Sequence, residues 1–412
     1  MSKKPQVEKN QKEPKKPNRV SWLVFLVTLV VVLVSLTSVV FPALIIRTMS
    51  PVSESLVSPW ESGVWTGPLI SANLILLIIG ILYYQKKLPV KITSSIRSVF
   101  SFEVSKKVAF IVIIILLGIY TGFSVGELAT EESWGDYSNV KQRVEDWNIN
   151  QVGDNFEPDV RYFLLSSSLN LFGNIRVIPF IVSIALLVLT YFITQEISKK
   201  RFAGLVAMVI LLQSSVFLSY DTTATYENFW ILFYLLSLYL IYKKWPLSPL
   251  SYILSIFSKA LTTLFLPMTL FFIYRSDTPR KTKIRTAISY GAIIAVGLAL
   301  VAALNLNLTG TPVKFSNFGF WQGFTSMAYQ LRFDVVVLIF LLPLTFGLFF
   351  ASKKGILQAD SIMVLIAGIL LTASFLTGFT LQTNQPYRFV PLVVFFAIGV
   401  GTILSKRVKE LT

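Results

Sequence analysis

The side chains available for catalysis are restricted, because the chain contains neither cysteine nor histidine. The sequence therefore offers no thiolate nucleophile, no disulfide, no imidazole base and no histidine-based metal site. Acid–base chemistry would fall to carboxylates, lysines or tyrosines. Segment 126–160 concentrates such groups, with nine acidic residues against two basic ones, Lys141 and Arg143.

Two carboxylates in this segment are candidates for a catalytic base. Asp136 lies in Gly135-Asp136-Tyr137, shortly after Glu132. A carboxylate held just above a bilayer, in a partly dry cleft, can take the proton of a hydroxyl or amide acceptor. The alternative for Asp136 is a structural one, in which it caps a short helix or simply keeps the loop acidic.

Further polar residues follow along the chain at points where apolar runs begin or end. These candidate substrate-binding residues are Tyr137, Arg176, Asp221, Glu227, Lys259, Tyr387 and Arg388. Carboxylates and fixed cations gathered at one membrane surface would suit a phosphate-bearing substrate embedded in the membrane. Helix capping, snorkelling and, for Arg176, interface anchoring are the structural alternatives. A divalent cation between Asp136 and Asp221 or Glu227 is chemically acceptable but not required.

The composition predicts that a membrane positions these groups. The chain is 54% hydrophobic and only 14% charged, whereas soluble domains carry roughly 25% charged residues. Its net charge of +16 does not indicate a nucleic-acid partner, because the lysines and arginines stand in short clusters between apolar runs. That distribution is the positive-inside pattern of an integral membrane protein.

The basic clusters predict an all-α bundle of about twelve membrane crossings with both termini in the cytoplasm. The expected long crossings are 22–46, 67–84, 108–125, 175–197, 202–219, 229–242, 286–304, 335–350, 361–379 and a last span that ends before Lys406. Segments 126–160 and 306–332 are then outer loops. The candidate site residues fall on the extracytoplasmic side of this topology.

Residues 247–274 need a different arrangement. A single span would leave Lys259 in the membrane, at about 2.5–3.5 kcal/mol, and would put the basic cluster 275–285 outside. A hairpin of two short half-spans that turns near Lys259 removes both faults. The sequence therefore predicts a hairpin with Lys259 at its outer tip.

The chain divides into five regions on these criteria. They are a disordered basic cytoplasmic tail (1–19), an additional amino-terminal transmembrane hairpin (20–84), a basic cytoplasmic loop (85–107), a transmembrane core (108–405) that contains the outer loop 126–160, and a cytoplasmic tail (406–412). Within the outer loop, Val140, Val144 and Trp147 recur at helical spacing. They predict a short amphipathic helix that lies along the membrane surface.

Several motifs follow one another in 108–400: Glu131 to Tyr137, Pro158, Leu171-Phe172-Gly173 with Arg176, Ala224-Thr225-Tyr226-Glu227, Ser258-Lys259 with Leu266-Pro267, and Pro386-Tyr387-Arg388-Phe389-Val390-Pro391. Their order resembles that of the GT-C glycosyltransferases, which take sugars from polyprenyl phosphates, with the closest likeness to the protein O-mannosyltransferase and lipid A aminoarabinose transferase group. The resemblance implies that the transmembrane core 108–405 is catalytic.

The resemblance implies an inverting transferase that works at the outer face of the membrane. Its donor would be a sugar on a dolichyl-type phosphate, held by Lys259 and Arg388, and its base would be Asp136 or Glu132. The acceptor would be a protein, a lipid or a glycan. Two other classes stay open: a transporter or lipid flippase, and a non-catalytic subunit of a glycan assembly complex.

Overall fold

A computed structural model of the chain describes residues 19–44, 58–148, 159–303, 314–380 and 386–405. This part is 82% helix and contains no strand. Seven of its helices are long and apolar enough to cross a membrane, in agreement with the predicted polytopic all-α class, while the number of about twelve crossings stays a prediction. The predicted tail 1–19, except for Arg19, the predicted tail 406–412, and Pro158 lie outside the described residues. Arg19 belongs to the first helix.

The described part contains the following α-helices in chain order. They are α1 (Arg19–Val40), α2 (Thr66–Tyr84), α3 (Val90–Ser101), α4 (Lys106–Ser124), α5 (Tyr137–Glu145), α6 (Asp159–Phe172), α7 (Val177–Ser198), α8 (Arg201–Leu212), α9 (Ser215–Tyr220), α10 (Phe229–Lys243), α11 (Ser248–Ser258), α12 (Leu266–Arg275), α13 (Arg280–Ala303), α14 (Asn317–Tyr329), α15 (Val335–Lys353), α16 (Gln358–Thr380) and α17 (Val390–Ile403). Short 3₁₀ turns occupy Val125–Ala129, Trp245–Leu247, Ala260–Phe265, Gln330–Phe333 and Pro386–Phe389.

Helix α17 lies at the centre of the bundle, where it packs against α7, α8, α15 and α16. In its most apolar stretch 78% of the residues are buried, compared with 6% in α2 and 17% in α4. Apolar side chains that face outward from α2 and α4 suit contact with lipid. Helices α2 and α4 thus stand at the edge of the bundle.

The sequence predicts an additional transmembrane hairpin in segment 20–84, and the structure shows that its first helix is packed into the bundle. Helix α1 packs against α15 and α16 and belongs to the main hydrophobic core. A buried polar contact fixes it there, because the Ser21 hydroxyl donates to Asp360 of α16 at 2.8 Å. Only α2 remains peripheral. Apolar periodicity predicted both helices but could not distinguish the buried one from the exposed one.

The chain breaks at Lys259, where the sequence predicts a turn. Helix α11 ends at Ser258, and Lys259 has extended backbone angles (φ −158°, ψ 113°). The following 3₁₀ turn folds back onto α11, because the Tyr252 hydroxyl donates to the carbonyl of Thr262 at 2.8 Å. Two short helices, α11 and α12, therefore flank Lys259.

The predicted span 202–219 is wrong as a single helix. Helix α8 ends at Leu212, and Ser214 caps the separate helix α9 by accepting a hydrogen bond from the amide of Phe217 at 3.1 Å. The Ser214 hydroxyl also donates to Asp334 at 2.5 Å. This buried side-chain bond offers the chain an alternative to continuing the helix, and hydropathy alone does not indicate it.

The predicted outer loop 306–332 contains helix α14, which packs along α16. Small residues on its buried face, Gly319, Gly323 and Ala328, permit close approach of two helices. This part of the sequence is apolar but has no basic cluster on either side, so the charge pattern assigned it to a loop. The described part of the segment is instead part of the bundle.

Helix α5 confirms the predicted helix within the outer loop. Val140 and Val144 are both buried, and they pack against Tyr162 and Leu165 of α6. Trp147 lies just beyond the helix and packs against the same cluster. This contact joins α5 to α6 and holds the residue that precedes α5, Asp136, beside the bundle.

Candidate functional site

Asp136 lies at the start of helix α5 with its carboxylate exposed. It occupies the N-cap position, yet its side chain makes no capping hydrogen bond. Instead Oδ2 accepts a hydrogen bond from the Tyr226 hydroxyl at 3.0 Å. Oδ1 has no hydrogen-bond partner among the described residues. One side of the carboxylate is therefore oriented by the protein, and the other is open to accept a proton.

Tyr226 is suited to hold Asp136 because its hydroxyl keeps its proton. Burial raises the pKa of Tyr226 to about 12, and the hydrogen bond to Asp136 acts in the same direction. At neutral pH the phenol is thus a neutral donor to the carboxylate. Its ring is held by the edge of Trp134, with ring centroids 5.3 Å apart.

Glu132, the second candidate base, forms hydrogen bonds with backbone amides. Its side chain is only 1% exposed, and its two oxygens accept from the amides of Ala224 (2.5 Å) and Thr225 (3.2 Å). Two backbone donors satisfy the carboxylate and fix the loop between α9 and α10. Glu132 therefore positions this loop and does not present a free oxygen to a substrate.

Arg161 holds the same loop from the opposite side. From α6 it donates to the carbonyl of Thr225 at 2.7 Å, and its Nε lies 3.0 Å from a carboxylate oxygen of Glu227. Burial raises the pKa of Glu227, although the neighbouring Arg161 cation opposes that shift. The ion pair is nearly dry, with the two side chains 17% and 4% exposed. Glu227 is consequently paired with protein and is not a free ligand group.

Arg176 also forms hydrogen bonds with the loop between α9 and α10. Its guanidinium donates to the Thr222 hydroxyl at 2.6 Å and to the carbonyl of Thr130 at 2.6 Å, and it also contacts Glu127. The side chain is 7% exposed and is saturated by protein acceptors. This placement fits the anchoring alternative for Arg176, and its predicted contact with substrate finds no support here.

Asp221 lies buried at the end of α9, with Oδ2 accepting from the Ser124 hydroxyl at 2.7 Å. Burial raises the pKa of this carboxyl to about 6. Its backbone carbonyl accepts a hydrogen bond from Ser183 of α7 at 2.7 Å. Asp221 thus ties α4 and α7 to the loop, and it does not belong to the surface on which Asp136 is exposed.

Two stacked tyrosines connect Lys259 with Asp136. Its ammonium lies 3.9 Å from the ring centroid of Tyr387, which favours a cation–π interaction. Tyr387 in turn stacks on Tyr226 with ring centroids 4.5 Å apart and planes 11° apart. Tyr226 donates to Asp136. One chain of contacts therefore connects the lysine at the hairpin tip with the exposed carboxylate.

These side chains surround one cavity of about 560 Å³, a volume in the range of small-molecule sites. Its lining residues are Asp136, Asn139, Val140, Gln142, Arg143, Arg161, Tyr162, Thr225, Tyr226, Lys259 and Tyr387. Three predicted site residues, Asp136, Lys259 and Tyr387, thus share a cavity. Of the described residues that line it, three are cationic and one is a carboxylate. Glu227 already balances the charge of Arg161, so the cavity combines a modest excess of positive charge with one exposed carboxylate.

The other predicted residues do not line this cavity. Arg388 is adjacent to it, since its Nε donates to the Tyr387 hydroxyl at 3.3 Å. Tyr137 points toward the apolar cluster between α5 and α6. Glu132, Arg176, Asp221 and Glu227 make the structural contacts described above. The structure thus separates the predicted residues into those that line the cavity and those that contact neighbouring protein groups outside it.

The carboxylates do not converge on a metal site in the described part of the chain. Asp136 bonds to Tyr226, Asp221 to Ser124, and Glu227 pairs with Arg161. No group of three or more acidic side chains within these ranges is arranged to hold an ion. The option of a divalent cation between Asp136 and Asp221 or Glu227 stays a prediction.

Arg161 and Tyr226 are the main site residues that the sequence prediction missed. Arg161 and Arg143 carried a signal, because arginine is disfavoured in loops predicted to be extracytoplasmic. A basic residue on the predicted extracytoplasmic side departs from the pattern that sets topology, and this indicates a specific contact at that position. Tyr226 carried no comparable signal, since its contact with Asp136 joins residues ninety positions apart.

Comparison with models of protein families, with curated proteins and with solved structures gives no match for this chain. The functional argument consequently depends on the chemistry of the cavity and on the motif order in the sequence.

Proposed function

We propose that this protein is a membrane glycosyltransferase that moves a sugar from a polyprenyl phosphate to an acceptor at the outer face of the bilayer. The observation that carries the proposal is the shared cavity of Asp136 and Lys259. Their motifs lie more than a hundred residues apart, and each was assigned from sequence to the same reaction. A cavity with one open carboxylate and several cations suits a phosphate-bearing donor.

The reaction would proceed by a single inverting displacement. The Asp136 carboxylate removes the proton of the acceptor hydroxyl or amide while the acceptor atom forms a bond to the anomeric carbon. The bond between that carbon and the phosphate oxygen breaks, and the lipid phosphate leaves with the electron pair. Lys259, supported by Arg388 beside Tyr387, stabilises the charge that develops on the leaving phosphate.

The proposed topology completes this scheme. About twelve crossings, with both termini cytoplasmic, set Lys259 and Asp136 at the extracytoplasmic surface. The polyprenyl chain then stays among apolar helices while its phosphate enters the cavity. The gathering of polar groups around one cavity supports surface chemistry over transport, which would favour ionisable groups at mid-membrane depth along a path.

The first test is transfer of radiolabelled sugar from polyprenyl-phosphate donors, with purified protein or membranes. We expect Asp136→Asn to lower the rate by about 10²- to 10⁴-fold, the usual contribution of a positioned base. The matched control is Asp146→Asn, an exposed aspartate at the other end of α5 that does not line the cavity. Because Asp136 is exposed, its substitution should leave folding intact.

The outcomes separate the alternatives. Equal rates for wild type and Asp136→Asn would remove Asp136 from the mechanism. Absence of transfer from every polyprenyl-phosphate donor, with monodisperse protein and varied acceptors, would instead favour the transporter or subunit class.

A further inference from the structure

Helix α3 contributes nothing to the core of the protein. None of its twelve residues is buried, and several large apolar side chains are open: Ile92 is 47%, Val99 50% and Phe100 42% exposed. Such a helix would not form stably in water on its own, because isolated helices shorter than about 12–15 residues are marginal. Something outside the described protein residues must cover its apolar face.

Four of the five apolar residues of α3 form one narrow stripe, while Val90, the first residue of the helix, lies on the other side. Ile92, Ile96, Val99 and Phe100 occur at i, i+4, i+7 and i+8, within one side of a 3.6-residue helix. The opposite side carries serines and basic residues: Lys91, Ser94, Arg97, Ser98 and Ser101. A narrow apolar stripe with a basic polar side is typical of helices that lie in the plane of a membrane interface.

The neighbouring helices hold α3 at the bilayer. It is connected by five residues (85–89) to α2 and by four residues (102–105) to α4, and both of these helices are long and apolar enough to span. Linkers of that length reach at most about 20 Å. Helix α3 therefore cannot leave the surface at which α2 ends and α4 begins.

The carboxy-terminal end of α3 is also fixed to the bundle. The Lys200 ammonium donates to the carbonyl of Phe100, and Arg201 donates to the carbonyl of Val104 at 3.3 Å. Phe102 packs edge-on against Phe202, with centroids 4.8 Å apart. These contacts give α3 a defined place beside the start of α8, in contrast to a free surface loop.

The charge around α3 indicates which kind of surface the helix contacts. Segment 85–107 contains six basic residues and one acidic residue, Glu103. The Glu103 carboxylate accepts from the amides of Val104 and Arg201 at 3.1 Å each, so it is engaged locally. The lysines and arginines of the segment face outward around the apolar stripe. This combination of positive charge and apolar surface is complementary to a bilayer that contains anionic headgroups.

We infer that α3 is an interfacial helix that inserts its Ile92–Phe100 stripe among the lipid headgroups and binds anionic phospholipid through the surrounding lysines and arginines. The inference does not depend on the proposed transferase activity. It assigns segment 85–107 a lipid-binding role in addition to its influence on topology. A protein partner with an acidic surface is the competing occupant.

The absence of cysteine from the chain makes a direct test possible. The full-length variants Ile92→Cys and Ser94→Cys lie on opposite sides of α3, and both positions are exposed. Each would be labelled with an environment-sensitive fluorophore and placed in nanodiscs of neutral phosphatidylcholine, with or without phosphatidylglycerol. Quenching by aqueous acrylamide and by lipid-attached spin label would then be measured.

With phosphatidylglycerol present, the probe at Ile92 should be quenched several-fold more by the lipid spin label than the probe at Ser94, and less by acrylamide. Adding Lys91→Gln and Arg97→Gln, or omitting phosphatidylglycerol, should reduce that contrast. Equal acrylamide quenching at both positions would overturn the interfacial placement. Protection of Ile92 only in native membranes would overturn it in favour of a protein partner, and a contrast insensitive to lipid charge would overturn the anionic preference.

Discussion

At the scale of single residues, the site depends on two carboxylates only four positions apart. Asp136 is exposed and accepts one hydrogen bond from Tyr226, whereas Glu132 is buried and accepts two from backbone amides. A carboxylate that already satisfies buried donors is costly to withdraw from them. The difference in surroundings, and not in residue type, gives the two side chains different roles.

Removal of the Tyr226 hydroxyl should impair turnover without impairing donor binding. Tyr226→Phe keeps the ring stacked on Tyr387, and so keeps Lys259 in place, but it frees the Asp136 carboxylate to rotate. We expect kcat for sugar transfer to fall about tenfold, less than the roughly 10²- to 10⁴-fold expected for loss of the base itself, while KM for the donor is unchanged. Tyr274→Phe, at a largely exposed position outside the cavity, is the control, and an equal rise in KM would contradict the argument.

Asp221 should make stability depend on pH. Its pKa is raised from 3.8 to about 6, so between these values the folded protein holds a proton that the unfolded chain has released. Stability contributed by this group is thus present at low pH and is lost as pH rises through about 6. Asp221→Asn removes the buried charge. The free energy of unfolding of this variant, relative to wild type, should therefore increase by about 1–2 kcal/mol as the pH rises from 4.5 to 7.5.

The measurement is the apparent melting temperature of both proteins in detergent across that pH range. Asp277→Asn, at a side chain that is 63% exposed, controls for the general effect of removing an acid. A constant difference between wild type and Asp221→Asn at every pH would show that the carboxyl titrates normally.

At the scale of helices, close approach of backbones decides how α17 fits into the bundle. A Cβ atom on Gly401 would lie 2.7 Å from the carbonyl oxygen of Ala203 in α8, whereas one on Gly291 in α13 would meet nothing within 4 Å. Backbone atoms cannot move aside as the end of a flexible side chain can. The glycine in α17 is therefore needed for packing, while the one in α13 is not.

These two glycines provide a matched pair of substitutions. Gly401→Ala should destabilise the protein by about 1–3 kcal/mol through overpacking, whereas Gly291→Ala should be neutral or stabilise it by up to about 1 kcal/mol through helix propensity. Thermal unfolding of both variants in detergent would check this. Similar melting temperatures for the two would mean that α8 and α17 are farther apart than described.

At the scale of the whole molecule, a buried ion pair joins three helices that are distant in sequence. Arg275 of α12 contacts Asp360 of α16, and Ser21 of α1 bonds to both. The two charged side chains are 4% and 0% exposed. This cluster secures α1 to the bundle, although the sequence placed α1 in an additional hairpin.

Loss of one partner from this pair should cost more than loss of both. Asp360→Asn leaves Arg275 buried without a counter-charge, and we expect a loss of about 3–5 kcal/mol. The double variant Arg275→Met/Asp360→Leu buries no charge and should recover a large part of that loss. The apparent melting temperatures of Asp360→Asn and of the double variant are compared with that of wild type, and a double variant no more stable than Asp360→Asn would argue against a dry pair.

The sequence alone predicted the features that depend on local pattern. Apolar runs and basic clusters indicated a polytopic helical protein, the position of Lys259 indicated a break in the chain, and the spacing of Val140 and Val144 indicated helix α5. Each of these signals is contained within about twenty neighbouring residues. Hydropathy and periodicity report on such short stretches directly.

Only the tertiary structure decided what depends on residues far apart in the chain. It distinguished Asp136 from Glu132, brought Arg161 and Tyr226 to the cavity, placed α14 against α16 and interrupted the helix at Ser214. The contacts responsible join positions about sixty to more than a hundred residues apart. Hydrogen bonding and packing satisfy a side chain by whatever lies nearest in space, and a one-dimensional pattern does not contain that information.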